Sequence, residues 1–133
     1  MSTDTEELDR KWRALASQGK DLEAANLLLA AIAEAAVEGG TAYFHAGQEF
    51  ACAGEEHYAK AIDCLKRSYK LDNAPWNAYV DGTIAFLVKE PDVLDNAISK
   101  IENDQSGRDF FRVLGKLKSG LGRELSYKDS YDG

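Results

Sequence analysis

Apolar residues recur in steps of three and four along nearly the whole chain, and no stretch alternates apolar with polar positions long enough to form a strand. Residues three and four apart share one helix face, so the pattern predicts an all-α fold. A capping-box pattern from Thr3 to Glu6 opens a first helix to about Ser17, with Leu8, Trp12 and Leu15 on one side and Gly19 after its end. Asp21 is placed to cap a second helix whose apolar side is Leu22, Ala25, Leu29, Ile32 and Ala36, with Gly39 and Gly40 as its breakers. A third helix, Thr41 to Ala53, carries Tyr43, Gly47 and Phe50 on one side and stops at Gly54.

The fourth helix has Tyr58, Ala61, Ile62, Leu65 and Tyr69 on one face and leaves Lys60, Lys66, Arg67 and Lys70 to water. Asn73 and Pro75 mark a stop and a restart, giving a fifth helix from about Trp76 to Val88. Pro91 starts a sixth, with Leu94, Ala97, Ile98 and Ile101 inward. Ser106 with Asp109 caps a seventh, which contains Phe110, Val113, Leu114 and Leu117. About seven helices are therefore expected, joined as antiparallel hairpins.

The apolar pattern repeats every 35 residues. Leu8, Tyr43 and Ala78 are related by that step, as are Trp12, Gly47 and Gly82, then Leu15, Phe50 and Ala85, and finally Gly19 and Gly54. An apolar residue, a small one four further on, and an apolar one three after that suit hairpins that cross closely. Such hairpins cannot bury their apolar faces alone, so each must lean on its neighbour.

The segment YFHAGQEFACAGEEHYAKAIDCLKRSYKLD resembles a tetratricopeptide repeat. Tyr43, Ala46, Gly47 and Phe50 match its first helix, Gly54 its turn, Ala61, Leu65 and Ser68 its second helix, and Leu71 and Asp72 its end. Residues 5–36 and 75–104 are similar but degenerate, and 107–119 would be a terminal capping helix. The resemblance implies a short right-handed solenoid forming a single domain over residues 1–133. Its hairpins would span about 4–37, 41–72 and 75–104, followed by the cap at 107–119 and a polar tail at 120–133. Departures are Trp12 in place of a small residue, Glu90 in place of the turn glycine and Asn73 in place of proline. The turns after Gly54 and around Pro91 also run two or three residues long.

Charge narrows the partners. Sixteen basic against 23 acidic residues give a net charge of −7, which disfavours a phosphate-backbone binder and favours solubility or a cationic partner. In the last helix Arg108, Arg112 and Lys116 form a basic stripe every four residues, read as a solvated face because aromatics are not interleaved with it. The first ten residues are acidic and lack an apolar stretch, and the longest apolar run, Leu27 to Ala33, is too short for a bilayer. A cytoplasmic chain is expected, with no membrane and no nucleic acid among its partners.

Chemistry-bearing residues are sparse. His45 and His57 are the two histidines and Cys52 and Cys64 the two cysteines; none stands in HxxxH, CxxC or HExxH spacing, so no metal site, no structural disulfide and no cofactor is expected. There is no GxSxG elbow, and Gly115, Gly120 and Gly122 lack the order of a phosphate loop, reading instead as a frayed helix end. The acidic pairs Glu6–Glu7, Glu55–Glu56 and Asp92–Asp95 suit helix starts. No enzymatic function is expected.

The fifth helix is apolar on two sides, with Val80, Ile84 and Leu87 in one row and Trp76, Tyr79, Thr83 and Phe86 in the other. The second row either lines a groove or is covered by the N-terminal hairpin and the capping helix. In the resembled family the first helix of each unit lines the concave surface. Matched position then gives a partner-binding groove from Phe44, Gln48 and Cys52 together with Trp76, Tyr79, Thr83 and Phe86, with Asp81, Asp92, Asp95 and Glu102 at an acidic edge. The expected function is a protein-binding module for another protein or peptide, the acidic edge favouring a basic one. The alternative is an acidic immunity protein that neutralises a basic toxin, and self-assembly into a homo-oligomer is the third.

Overall fold

A computed structural model describes residues 4–34 and 39–132, the side chains from residue 6 onward. Among these residues lie eight α-helices and no strand: α1 (Asp4–Ser17), α2 (Asp21–Ala33), α3 (Gly39–Ala53), α4 (Tyr58–Lys66), α5 (Ala74–Leu87), α6 (Pro91–Ile101), α7 (Arg108–Gly122) and α8 (Tyr127–Asp132). Single 3₁₀ turns, Glu55–His57 and Gln105–Gly107, precede α4 and α7. The all-helical class read from the periodicity is the one observed.

The chain divides into two compact units, one ending at Ser68 and the other beginning at Tyr69. In the first, α2 packs on both α1 and α3, and α4 packs on α3. Ala24, Ala25, Ala46 and Ala61 are fully buried, and these short side chains let the helices approach closely. In the second unit α5 packs on α6 and α7, α6 packs on α7, and α8 lies on α7. Asn73 caps α5 by accepting a hydrogen bond from the Trp76 amide at 3.2 Å, and Pro75 occupies the first turn, where its missing N–H costs nothing.

The 35-residue interval is carried by the backbone as well as by side chains. Helices α1, α3, α5 and α7 are each followed, one or two residues past their last, by a residue of positive φ, and these residues are spaced by 35: Gly19 (77°), Gly54 (138°), Lys89 (59°) and Glu124 (57°). At three of these turns a hydrogen bond of 2.9 Å reaches back over the last helical turn, Lys20 N–H to Leu15 O, Glu90 N–H to Ala85 O and Leu125 N–H to Gly120 O. That closure satisfies a terminal carbonyl and requires the left-handed residue before it. Glycine holds the place twice; lysine and glutamate adopt it afterwards.

Several expected boundaries are corrected. Gly39 and Gly40 do not break a helix but form the first turn of α3, where no intrahelical donor is yet required. Asp21 is the first residue of α2 rather than its cap, and Asp104 rather than Ser106 caps the turn before α7, accepting from the Ser106 amide at 2.9 Å. Tyr69, expected on the inward face of the fourth helix, lies beyond α4 and is 44% exposed. The seventh helix continues through Gly115 and Gly120 to Gly122 instead of fraying at 119, and the tail contributes α8. What was expected as a cap and tail is thus a fourth, shortened hairpin. The Thr3 capping box and Ala36 lie outside the described residues.

The small residues at the 35-residue step are contact points. A Cβ on Gly47 would stand 2.8 Å from Leu65 Cγ and 3.1 Å from the Ala61 carbonyl oxygen. One on Gly82 would stand 2.7 Å from Leu114 Cδ2 and 3.3 Å from Ala97 Cβ. Trp12, at the equivalent place in α1, is buried, donates its indole N–H to Asp9 Oδ1 at 3.1 Å, and lies 4.8 Å from the His45 ring.

Candidate functional site

The second aromatic row of α5 is covered within its own unit. Phe110 of α7 stacks on Tyr79, with ring centroids 4.6 Å apart and planes 12° from parallel, and meets Trp76 edge-on at 5.9 Å. Tyr127 of α8 meets Phe86 edge-on at 5.9 Å. Thr83 is fully buried and donates its hydroxyl to the Tyr79 carbonyl at 2.8 Å, a bond within the helix that satisfies its donor. Trp76, Tyr79, Thr83 and Phe86 are therefore core residues. The exposed rim of Trp76 carries the Lys70 ammonium 3.8 Å from the ring centre.

The other expected site residues are placed as follows. Phe44 is buried, and Gln48 is half-buried with Oε1 3.4 Å from His45 Nδ1. Asp81 accepts a hydrogen bond from the Tyr69 hydroxyl at 2.5 Å, and partial burial first, then that carboxylate, pushes the Tyr69 phenol upward. Asp95 pairs with Lys118 at 2.7 Å. Of the basic stripe, Arg112 stands 3.9 Å from Asp109, and Lys116 donates to the Tyr131 carbonyl at 3.4 Å.

Among the described residues one group of metal-ligating side chains converges, and it differs from the four residues weighed in the sequence. Asp21, Glu49 and Cys52 hold one donor atom each within 4.8 Å of one another, without either histidine. Each also has further interactions, so the trio reads as a polar junction between the start of α2 and the end of α3. Both cysteines are free thiols, and burial, followed by the charge of Asp63, pushes Cys64 up to about 11. That is the reverse of what activates a cysteine nucleophile.

The open feature of the first unit lies elsewhere. Tyr43 and Phe50 stand seven residues apart on α3, nearly two full turns, and so share a face. Gly47 between them is the point where α4 crosses, and α4 brings Lys60, Asp63, Cys64 and Arg67 to the same side at positions i, i+3, i+4 and i+7. With Leu29 of α2 and Ala59 of α4, these residues enclose an open cleft of about 500 Å³, within the usual range for ligand sites. Its floor is apolar and aromatic. Its edge is charged: the Lys60 ammonium stands 5.7 Å from the Phe50 ring centre and the Arg67 guanidinium 5.9 Å from that of Tyr43. Both distances sit at the outer limit of cation–π attraction, so the long aliphatic stems cover the ring margins while the charges face water.

Asp63 lies between the two cations and binds one of them, accepting from Arg67 Nε at 3.3 Å. Both side chains are more than half exposed, so water screens the pair and it adds little to stability. Its effect is chiefly on the cleft, where it occupies Arg67.

The helices and this cleft define an all-helical protein of repeated hairpins with a ligand-sized opening in its first unit. The chain matches no family model, no characterised protein and no solved structure. None of its described helices is long and apolar enough to cross a membrane.

Proposed function

We propose that the chain is a tetratricopeptide-like binding module that holds a segment of a partner protein in the cleft of its first unit, and that it works without a reaction of its own. The observation that carries this reading is the cleft, an apolar floor on which Leu29 and Tyr43 are part-exposed over the buried Phe50, beside exposed cations. An aromatic pocket edged by charge suits anchoring side chains from a partner. The likeness to the repeat family is supported by the 35-residue recurrence of positive-φ residues after α1, α3, α5 and α7 and by the close approaches at Gly47 and Gly82. The buried row on α5 moves the proposed site from the fifth helix to the third and fourth.

Ala59 gives a direct test, since it is exposed and lines the cleft without entering the core. Ala59→Trp fills the opening. Wild-type protein immobilised in an extract of the cells that make it should retain a partner that the Ala59→Trp variant loses, at an unchanged unfolding midpoint. Equal retention by both proteins would refute the reading.

A further inference from the structure

We infer that the segment received by the cleft is an acidic amphipathic helix, and that Asp63 is a built-in competitor for it. The inference rests on the reading of the cleft as a partner-binding site and adds the partner's chemistry. Lys60 on α4 and Arg67 at its C-cap are seven residues apart, so their anchor points are separated by roughly 10 Å along the helix axis. Tyr43 and Phe50 repeat the same spacing on the floor. A helix that places carboxylates at i and i+7 and apolar side chains at i+3 and i+4 presents all four on one face with that separation. Its carboxylates meet the two cations while its apolar residues cover Leu29 and the part-exposed Tyr43 ring, above the buried Phe50.

Charge selects this occupant over its alternatives. The chain carries a net −7, so an acidic segment is repelled by the surface in general and accepted only where cations are concentrated, which makes the location specific. A basic segment would set two like charges against Lys60 and Arg67. Asp63 already occupies Arg67 at 3.3 Å; an incoming carboxylate must displace it, so Asp63 lowers the affinity for acidic segments while guarding the cleft against non-specific anions.

The test uses three fluorescein-labelled, alanine-based helical peptides. Each bears two adjacent leucines, and the flanking positions seven apart are glutamate, glutamine or lysine. Binding to the full chain is followed by anisotropy, and the site by amide shifts of Tyr43, Phe50 and Arg67. The glutamate peptide should bind at least roughly tenfold more tightly than the lysine peptide at low salt, and the difference should shrink as salt rises. Asp63→Asn should tighten the glutamate peptide by roughly threefold or more, and Lys60→Glu with Arg67→Glu should weaken it by at least roughly tenfold. All three side chains are exposed, so circular dichroism should report an unchanged fold.

If all three peptides shift the cleft amides with one affinity, the acidic preference is wrong while the cleft reading survives. If none shifts them, both fail. Weaker or unchanged glutamate-peptide binding by Asp63→Asn overturns the competitor role. A concentration-dependent dimer that the double replacement abolishes would give the cleft to a second copy of the chain and overturn the proposed partner.

Discussion

Gly82 of α5 lies directly beneath Leu114 of α7, so close that a Cβ on the glycine would come within 2.7 Å of one leucine methyl and 2.8 Å of the other. Leu114 is fully buried and Ala97 closes the other side at 3.3 Å, so the leucine must shift within a packed core. Overpacking of this kind costs about 1–3 kcal/mol, against the roughly 1 kcal/mol that alanine gains over glycine in a helix. Gly82→Ala should therefore destabilise the protein by up to about 2 kcal/mol. Gly115, one residue beyond Leu114, has nothing within 4 Å of a Cβ, and Gly115→Ala should stabilise by up to about 1 kcal/mol. Urea midpoints of the two variants should move in opposite directions; movement in the same direction would refute the contact argument.

The 35-residue turns make a second pair of opposed substitutions. At Glu124 (φ 57°) an exposed, non-glycine residue holds a left-handed conformation that costs an L side chain about 1–2 kcal/mol. Glycine removes that cost but adds unfolded-state entropy, so Glu124→Gly should stabilise by about 0.5–1 kcal/mol. At Gly19 (φ 77°) the reverse exchange, Gly19→Ala, should cost about 1 kcal/mol although a Cβ there touches nothing within 4 Å. Thermal unfolding of both variants checks the signs.

These two cases show what the sequence disclosed. Gly47 and Gly82 were legible because a small residue at a fixed interval inside an apolar stripe has few uses other than close approach. Lys89 and Glu124 were not, because their conformation is imposed by the hydrogen bond that closes the turn rather than by residue type. The rows of α5 could be drawn but not assigned, since the covering residues, Phe110 and Tyr127, come from α7 and α8 far along the chain. The cleft was hidden by correct parts read separately: Tyr43 and Phe50 as core, Lys60 and Arg67 as solvated. Their shared seven-residue spacing was the available signal. The tail's polar composition likewise concealed α8, in which Tyr127 is almost fully buried.

The docking of α8 depends on Gly120. A Cβ there would collide with the Ser130 hydroxyl and Cβ and stand 3.1 Å from the Ser130 Cα. Backbone that close cannot yield by rotation, so Gly120→Ala should lift α8 from α7, uncover Tyr127 and make the segment after Glu124 sensitive to protease while α1–α4 stay protected. The buried Ser130 hydroxyl finds no hydrogen-bond partner among the described residues, and burying such a group is unfavourable. Ser130→Ala should hold or raise stability by up to about 1 kcal/mol and leave protection intact. Unchanged protease resistance in Gly120→Ala would sink the account.

Cys64 connects the cleft to pH. Its thiol is 4% exposed, and its pKa is raised from 9.0 to about 11 by burial first and by Asp63 second, with Arg67 and Lys60 opposing. Between those two values the folded chain keeps a proton that the unfolded chain releases. Stability should therefore be undiminished by this group below pH 9, fall as pH rises from 9 to about 11, and change no further above that. The slope is at most about 1.4 kcal/mol per pH unit, and less because the adjoining cleft admits water. Other groups titrate in the same interval, so the contribution is the difference between wild type and Cys64→Ala, measured by urea unfolding at several pH values across it. Asp63→Asn removes the second cause, so the thiol should ionise at lower pH and react faster with a maleimide at pH 9, if the carboxylate faces Cys64 as well as Arg67. Equal reaction rates in the two proteins would mean that Asp63 does not act on the cleft's interior.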